Sequence, residues 1–423
     1  MWLRKLVSLE TLGGVSLALV LQTSYRNESG LGVGEAGLGL FLVCGLASLV
    51  MASRTVGIQG GQSRLPMMFA AFVVGCLLPG TYANVTLGIS RLEDPSWYWR
   101  DFTAYGLTAA FLVVTSGARL NLQMAGRVLV VTLAAIVCLQ YAFGGSEAWF
   151  GSRFTGGAAN PNQLALYIVC GFVLLAAHFT AGMAALALVG VLGFAGAQSH
   201  SDALLAFTAV TCLTYLLAVI VPRQQFILTL PLVALLPLTL VCTDWGQHVV
   251  DRLGDAWLNA DEGHLRTTLY RHGLMAWWHT PRTAVFGNGA GSFSGEFGPF
   301  GRFEAHCTPI DILTIGGVIG LLVVYWLPVR AVVSAYQSSR PALFACTVGL
   351  VAFTCFHYVG RHPVFWFTML ALDATLRSAP VNAAAESSPI ASTERGPGIR
   401  RLGTASRLPA RGWSERFASS GRA

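Results

Sequence analysis

Residues 153 to 178 read RFTGGAANPNQLALYIVCGFVLLAAH, and this stretch decides the class of the fold. Asn160-Pro161-Asn162 is a turn and helix-start signal. Almost every residue after it, as far as Ala177, is apolar. A run of this kind crosses a bilayer as a helix, which takes about 20 residues. The same pattern recurs in both directions along the chain. It covers Met1 to Gln22 and further segments centred near Phe41, Val73, Leu112, Val131, Val173, Leu188, Leu213, Val233, Val323, Leu350 and Met369. The reading is an all-α polytopic membrane protein with about 12 transmembrane helices.

Composition agrees with that reading. Of 423 residues, 54% are hydrophobic before the 47 glycines are counted, and only 11% are charged. Mean hydropathy is +0.59. These values exclude an ordinary soluble enzyme, a disordered chain and a coiled coil. The net charge of +7 would suit nucleic acid if it lay on a folded surface, but it does not. Residues 377–423 hold eight Arg and three Glu, which is +5 of the total. This Pro-, Ser- and Ala-rich stretch has no apolar period, so it reads as a disordered Arg-rich tail. The expected division is a transmembrane domain over 1–376 and a tail over 377–423, with membrane lipids and no nucleic acid as partners. Eight of the nine cysteines lie in or beside apolar runs, where they act as small hydrophobes. No Cys/His metal spacing occurs.

Arginine placement sets the expected sidedness. Arg4, Lys5, Arg54, Arg64, Arg119, Arg127, Arg223, Arg330, Arg340 and the tail fall on one side, in short turns almost free of acids. The positive-inside rule makes that side cytoplasmic, with both termini inside. The other side receives longer loops of mixed charge, the largest over about 244–307. A connection of that length is functional or disordered. Its Trp245, Trp257, Trp277, Trp278 and Phe293 favour a folded loop, with helices lying on the membrane.

Three polar clusters fall on that outer side. They are Arg153 to Asn162; Arg266 to Arg271 followed by Pro281 and Gly287-Asn288-Gly289; and Ala305-His306-Cys307. An arginine fork matches phosphate oxygens bidentately. A neutral histidine beside it can take a proton from an attacking hydroxyl. Together these groups fit glycosyl transfer from a lipid diphosphate. Each also has a plainer reading: a headgroup contact for a loop arginine, a structural role for an interfacial histidine. The Gly287–Gly291 run reads as a tight turn, because no strand and no GK[ST] accompany it. Glu10, Glu35, Asp202, Asp311 and Asp373 lie near helix ends, where capping or solvation accounts for them.

The order of these motifs resembles the bacterial O-antigen ligase and O-antigen polymerase superfamily over roughly residues 100–375. Arg153 to Asn162 resembles the family's arginine, glycine, Asn-Pro-Asn segment, and Ser199-His200-Ser201 its short serine-rich turn. Arg266, Pro281 and Gly287-Asn288-Gly289 resemble its large-loop pattern. His306-Cys307, nine residues, then Gly317 and Gly320, is similar to the ligase histidine motif, with Cys307 where that motif has Asn, Ser or Gln. Gly360-Arg361-His362-Pro363 resembles the entrance to the last span. The resemblance implies an inverting transferase in the bacterial inner membrane that uses neither metal nor cofactor. Its substrates would be a polyprenyl-diphosphate-linked glycan and a glycan or lipid A core acceptor. It also implies His306 as catalytic base and Arg153 and Arg266 at the diphosphate, with Arg271 and Arg361 as further candidates. Asn160, Asn162, Gly317 and Gly320 would shape the site. The alternative reading is a transporter or flippase of a polysaccharide pathway with no transfer chemistry.

The sidedness has a direct test. Green fluorescent protein fused after Ala423 should fluoresce, and alkaline phosphatase fused there should be inactive. The reverse pattern would place the C-terminus outside.

Overall fold

In a computed structural model the described residues are 8–26, 32–53, 65–86, 96–118, 120–222, 225, 261–297 and 301–378. The chain separates into Met1–Ala379 and Pro380–Ala423. The expected tail, the apolar segment near Val233, Trp245 and Trp257 lie outside the described residues. So do Arg4, Lys5, Arg54, Arg64, Arg119 and Arg223.

The described part of the first unit is almost wholly helical. In chain order the helices are α1 (Leu9–Leu19), α2 (Val33–Ser53) and α3, which runs Leu65–Phe72, through a π turn at Val73–Leu77, into Leu78–Thr86. Next come α4 (Ser96–Gly117), α5 (Leu122–Phe143), α6 (Pro161–His178), α7 (Met183–Ser199) and α8 (Asp202–Ile220). The loop helices α9 (Asp261–Trp277) and α10 (Pro281–Phe286) precede α11 (Thr308–Gln337), α12 (Pro341–Phe353) and α13 (Pro363–Ser378). Two short strands, β1 (Trp149–Phe150) and β2 (Arg153–Phe154), pair antiparallel. Among the described residues six helices are long and apolar enough to cross a membrane: α2, α3, α5, α6, α8 and α11. The protein is therefore a multi-pass membrane protein. Helices cover eleven of the expected centres, but α1, α7, α12 and α13 are shorter than a full span.

Helix α6 is the axis of the bundle. Asn160 caps it by accepting from the Asn162 amide at 2.7 Å, with Pro161 in the first turn, where its missing N–H costs nothing. Most of its side chains are buried, and it packs against α5, α7, α8, α12 and α13. At its C-terminus Arg127 donates to the His178 carbonyl at 2.7 and 3.0 Å, while Arg340 donates to Ala176 and Ala177. Two basic residues assigned to one face thus meet at one end of the bundle, on the carbonyls where a helix dipole favours cations.

Helix α11 is broken. Gly317 has φ 60° and ψ −160°, far from helical values. The break deprives the preceding carbonyls of their usual partners four residues on. The loop after α10 supplies replacements. Asn288 donates to the Thr314 carbonyl through its amide and its side chain, both at 2.9 Å, and the Gly289 amide donates to Ile315 at 2.8 Å. The glycines make this approach possible. A Cβ on Gly317 would sit 2.4 Å from the Val285 carbonyl, and one on Gly289 would sit 2.4 Å from the Gly80 backbone. Unlike the nucleotide loop it superficially resembles, Gly287–Gly291 is a plug between α3 and the break in α11.

The large loop is folded where it is described. Leu274 and Met275 on α9, Trp278 just after it, and Val285 and Phe286 on α10 are exposed apolar side chains. Their chemistry suits the boundary between headgroups and acyl chains.

The break yields a stability test. Gly317→Ala forces a side chain into left-handed φ, about 1–2 kcal/mol, and into backbone atoms, about 1–3 kcal/mol more. Its melting temperature in detergent should fall by several degrees. Gly190→Ala, where an added Cβ meets open space, should leave it unchanged. Equal melting temperatures for both variants would contradict this account of the break.

Candidate functional site

The polar motifs meet at one end of the bundle. Arg153 on β2 donates from its Nε to the Ser199 carbonyl at 3.1 Å and from one Nη to His200 at 3.0 Å. It therefore caps the C-terminus of α7, and His200 takes left-handed φ of 47° there. Ser201 caps α8 and donates to Asn162 Oδ1 at 2.6 Å, tying the start of α6 to the start of α8. Asp202, the next residue, lies 3.8 Å from Arg266 of α9. Arg153, Asn160, Asn162 and Arg266 thus belong to one assembly, although residues 153 and 266 are far apart in sequence.

Arg266 and Arg271 part company on α9. Five residues turn a helix by about 500°, so the two point in different directions. The side chain of Arg266 is 13% exposed, and its ion-pair partner Asp202 is 64% exposed. Arg271 is exposed, with no ion pair among the described residues. Leu265, Leu269 and Tyr270 of α9 pack on Ala305, Cys307 and Ile310, which sets Arg266 beside the histidine turn. Gly273 allows the close approach, because a Cβ there would lie 2.8 Å from Ile310.

His306 has a left-handed φ of 55°, which costs a non-glycine residue of order 1–3 kcal/mol. Asp311 holds it there. Its carboxylate accepts from the amides of Ala305 at 2.8 Å and Cys307 at 3.2 Å, on either side of His306, and from Ser294 Oγ at 3.4 Å. Cys307 is buried, and burial pushes its thiol up to about 12, so it remains a neutral packing group.

Thr308 brings the next segment alongside. Its hydroxyl donates to the His357 carbonyl at 2.7 Å and accepts from the Val359 amide at 3.0 Å. This places the buried ring of His357 beside that of His306, with centroids 6.3 Å apart and planes 18° from parallel. Burial, then His362, His306, Arg361 and Arg266, hold His357 well below the usual histidine range.

Arg361 is set in a carboxylate cradle. It pairs with Asp101 at 2.6 Å and with Glu304 at 2.5 Å, two residues before the histidine. Asp101 also accepts from the Gly291 amide at 2.7 Å, which joins the plug to Arg361. Two carboxylates thus match its charge, whereas among the described residues Arg266 has one distant and exposed ion-pair partner. Gly320 lies against Phe72, which a Cβ would meet at 3.0 Å.

The sequence pointed to His306, Arg266 and Arg153 as candidates but not to His357, Asp101, Glu304 or the brace made by Asp311. The signal for the first was the His357-x4-His362 spacing around Arg361. For the brace it was an acid in the first turn after the histidine. Among the other carboxylates near helix ends, Glu10 accepts from the Asn121 amide at 3.3 Å, and two are ion-paired. Asp373 meets Arg330 at 3.4 Å and also meets Arg377, while Glu35 pairs with Arg26. Among the described residues no group of three His, Cys, Asp or Glu is placed to hold a metal ion.

Asp311→Ala leaves two buried amides without an acceptor, about 1–3 kcal/mol each. Amide hydrogen exchange over residues 304–308 should accelerate strongly, with exchange in α5 unchanged. Unchanged exchange at 304–308 would refute the brace. No family model matches the chain and no curated protein matches it, so the chemistry of the site rests on its own residues.

Proposed function

We propose that the protein transfers a saccharide from a polyprenyl diphosphate carrier to an acceptor hydroxyl at the outer face of the bacterial inner membrane. In this reading about twelve helices span the membrane and both termini are cytoplasmic. The acceptor is a lipid A core, as in an O-antigen ligase, or another carrier-linked glycan, as in a polymerase.

The observation that carries the proposal is the state of Arg266. Its guanidinium is largely buried, its ion-pair partner is an exposed carboxylate 3.8 Å away, and His306 stands on the turn packed against the same helix. A diphosphate can take the place of such a partner, because a guanidinium fork binds two phosphate oxygens more tightly than one distant carboxylate. Asp202 also lines a cleft of about 980 Å³ between α6, α7, α8 and α12. The cleft runs from Thr180 and Ala181 at one end of α7 to His200 and Asp202 at the other, along Val189, Gly193 and other small residues. Its apolar walls suit a lipid chain whose head reaches Arg266.

The roles follow from these positions. Arg266, with the remaining donors of Arg153, neutralises the diphosphate as the anomeric bond breaks. His306 takes the proton of the acceptor hydroxyl, which attacks the anomeric carbon from the opposite face and inverts it. Arg271, on the exposed side of α9, and Arg361, in its cradle, serve at the rim and in the frame. No metal is assigned a part in these steps. A transporter or flippase is the second reading, favoured by the break at Gly317, since broken helices recur at transport sites.

Transfer by purified protein supplied with an undecaprenyl-diphosphate-linked glycan separates these readings. His306→Ala should lower kcat by about 10²–10⁴-fold, the usual worth of a general base. Arg266→Lys keeps the charge and loses the fork, and should cost about 1.5–3 kcal/mol, roughly tenfold or more. Full activity in folded His306→Ala protein would refute the mechanism.

A further inference from the structure

Next to His306 lie two imidazoles that the transfer step leaves unused. His357 is 4% exposed, and neither of its ring nitrogens has a hydrogen-bond partner among the described residues. It stands between two other rings, 6.3 Å from His306 and 5.9 Å from His362, centroid to centroid. A neutral imidazole carries one donor and one acceptor, and leaving either unsatisfied costs about 1–3 kcal/mol. Buried polar groups without a protein partner are ordinarily served by water. Ring nitrogens lie a little over ~1 Å from their centroids, so those of neighbouring rings are about 3.5 Å apart or more, beyond direct hydrogen-bond reach, and a proton crossing either gap needs a bridging water.

The row leads somewhere. His362 lines a pocket of about 150 Å³ together with Arg26, Glu35, Gln163 and Tyr167. The Tyr167 hydroxyl is also buried, with no hydrogen-bond partner among the described residues. The pocket's walls are mostly apolar, with these polar groups at one part of the lining, and it is larger than the roughly 30 Å³ share of one water. Arg26, paired with Glu35 at its rim, has a side chain 35% exposed, so the pocket ends at the protein surface.

We propose that His357 and His362, with a water between each neighbouring pair of rings, carry the proton collected by His306 to the pocket beneath Arg26 and Glu35 and so to solvent. The proposal rests on the reading of His306 as the base. In the transfer step the acceptor O–H bond breaks and its oxygen bonds the anomeric carbon. The bond from that carbon to the diphosphate breaks, and the diphosphate leaves with the electron pair. The proton is then on His306, and seated glycans cover its open side, so the base needs another route to reset. A neutral ring passes a proton by accepting at one nitrogen and releasing at the other. The groups facing His357 are His306, His362, Arg361 and Arg266, and those facing His362 are Arg361 and Arg26. With burial they keep both rings neutral, His362 down to about 3, so neither ring retains the proton.

The test uses the full chain in nanodiscs with an undecaprenyl-diphosphate-linked glycan. His357→Phe fills the space and removes the relay. It should lower kcat about tenfold or more, with KM within about twofold of wild type, and raise the solvent deuterium isotope effect on kcat. A merely structural role would not move the isotope effect. His357→Asn covers the case in which the phenylalanine variant misfolds, and the same fall and rise are expected. Independently of transfer, ¹⁵N-histidine NMR of the wild type should show water exchange at the ring nitrogens of His357 and His362. An unchanged kcat and isotope effect in the folded variant, or a dry His357 in the NMR experiment, overturns the proposal. Full transfer by His306→Ala would instead overturn the reading of the base, with the water row still judged by NMR.

Discussion

The carbonyls at the break in α11 govern how the rest of this end of the molecule is built. A buried backbone carbonyl must be paired, and inside a membrane protein no bulk water stands by to do it. Asn288 and Gly289 meet that demand at Thr314 and Ile315. Once the plug is seated, other positions follow. The Gly291 amide fixes Asp101, Asp101 and Glu304 fix Arg361, and Glu304 precedes the turn that Asp311 holds around His306. Non-helical backbone at this depth is tolerated because it is buried in protein, and the same constraint makes the frame rigid.

The charges sort themselves by how they are balanced. Arg361 is enclosed by two carboxylates and Arg153 is occupied by two carbonyls, so both mainly stabilise the fold. Among the described residues Arg266 has only a distant, exposed ion-pair partner. His357 and His362 lie between these groups, kept neutral by burial and by the cations around them. In the proposed transfer His306 would act beside Arg266, and the apolar cleft beside Asp202 would take the carrier's chain.

Much of this was legible in the sequence, for physical reasons. Helices with strong apolar runs, such as α5, α6 and α8, announce themselves because burial in lipid demands a continuous stretch. Asn160-Pro161 announces the start of α6 through capping chemistry. The convergence of Arg153, Asn162 and Arg266 was suggested by their common side, but the bonds that join them could not be read. Ser201 to Asn162 and Thr308 to His357 are contacts between distant segments, and no local pattern encodes them. The break at Gly317 escaped for a related reason. One glycine in an apolar run is ordinary, and only the docking of Gly287–Gly289 against it shows that its φ is left-handed. Asp311 was read as a group near a helix end, which is its place, but its service to His306 depends on how the turn closes.

The most direct test of the account is the chemical fate of the carrier. Purified wild-type protein in nanodiscs, given an undecaprenyl-diphosphate-linked glycan and an acceptor glycan, is followed by ³¹P NMR. The expected result is loss of the glycan-substituted diphosphate signal and appearance of a terminal phosphate resonance only when acceptor is present, with a new linkage of inverted anomeric configuration. An unchanged diphosphate, while vesicles containing the protein accumulate the intact carrier on one leaflet, would contradict the account and leave transport as the function.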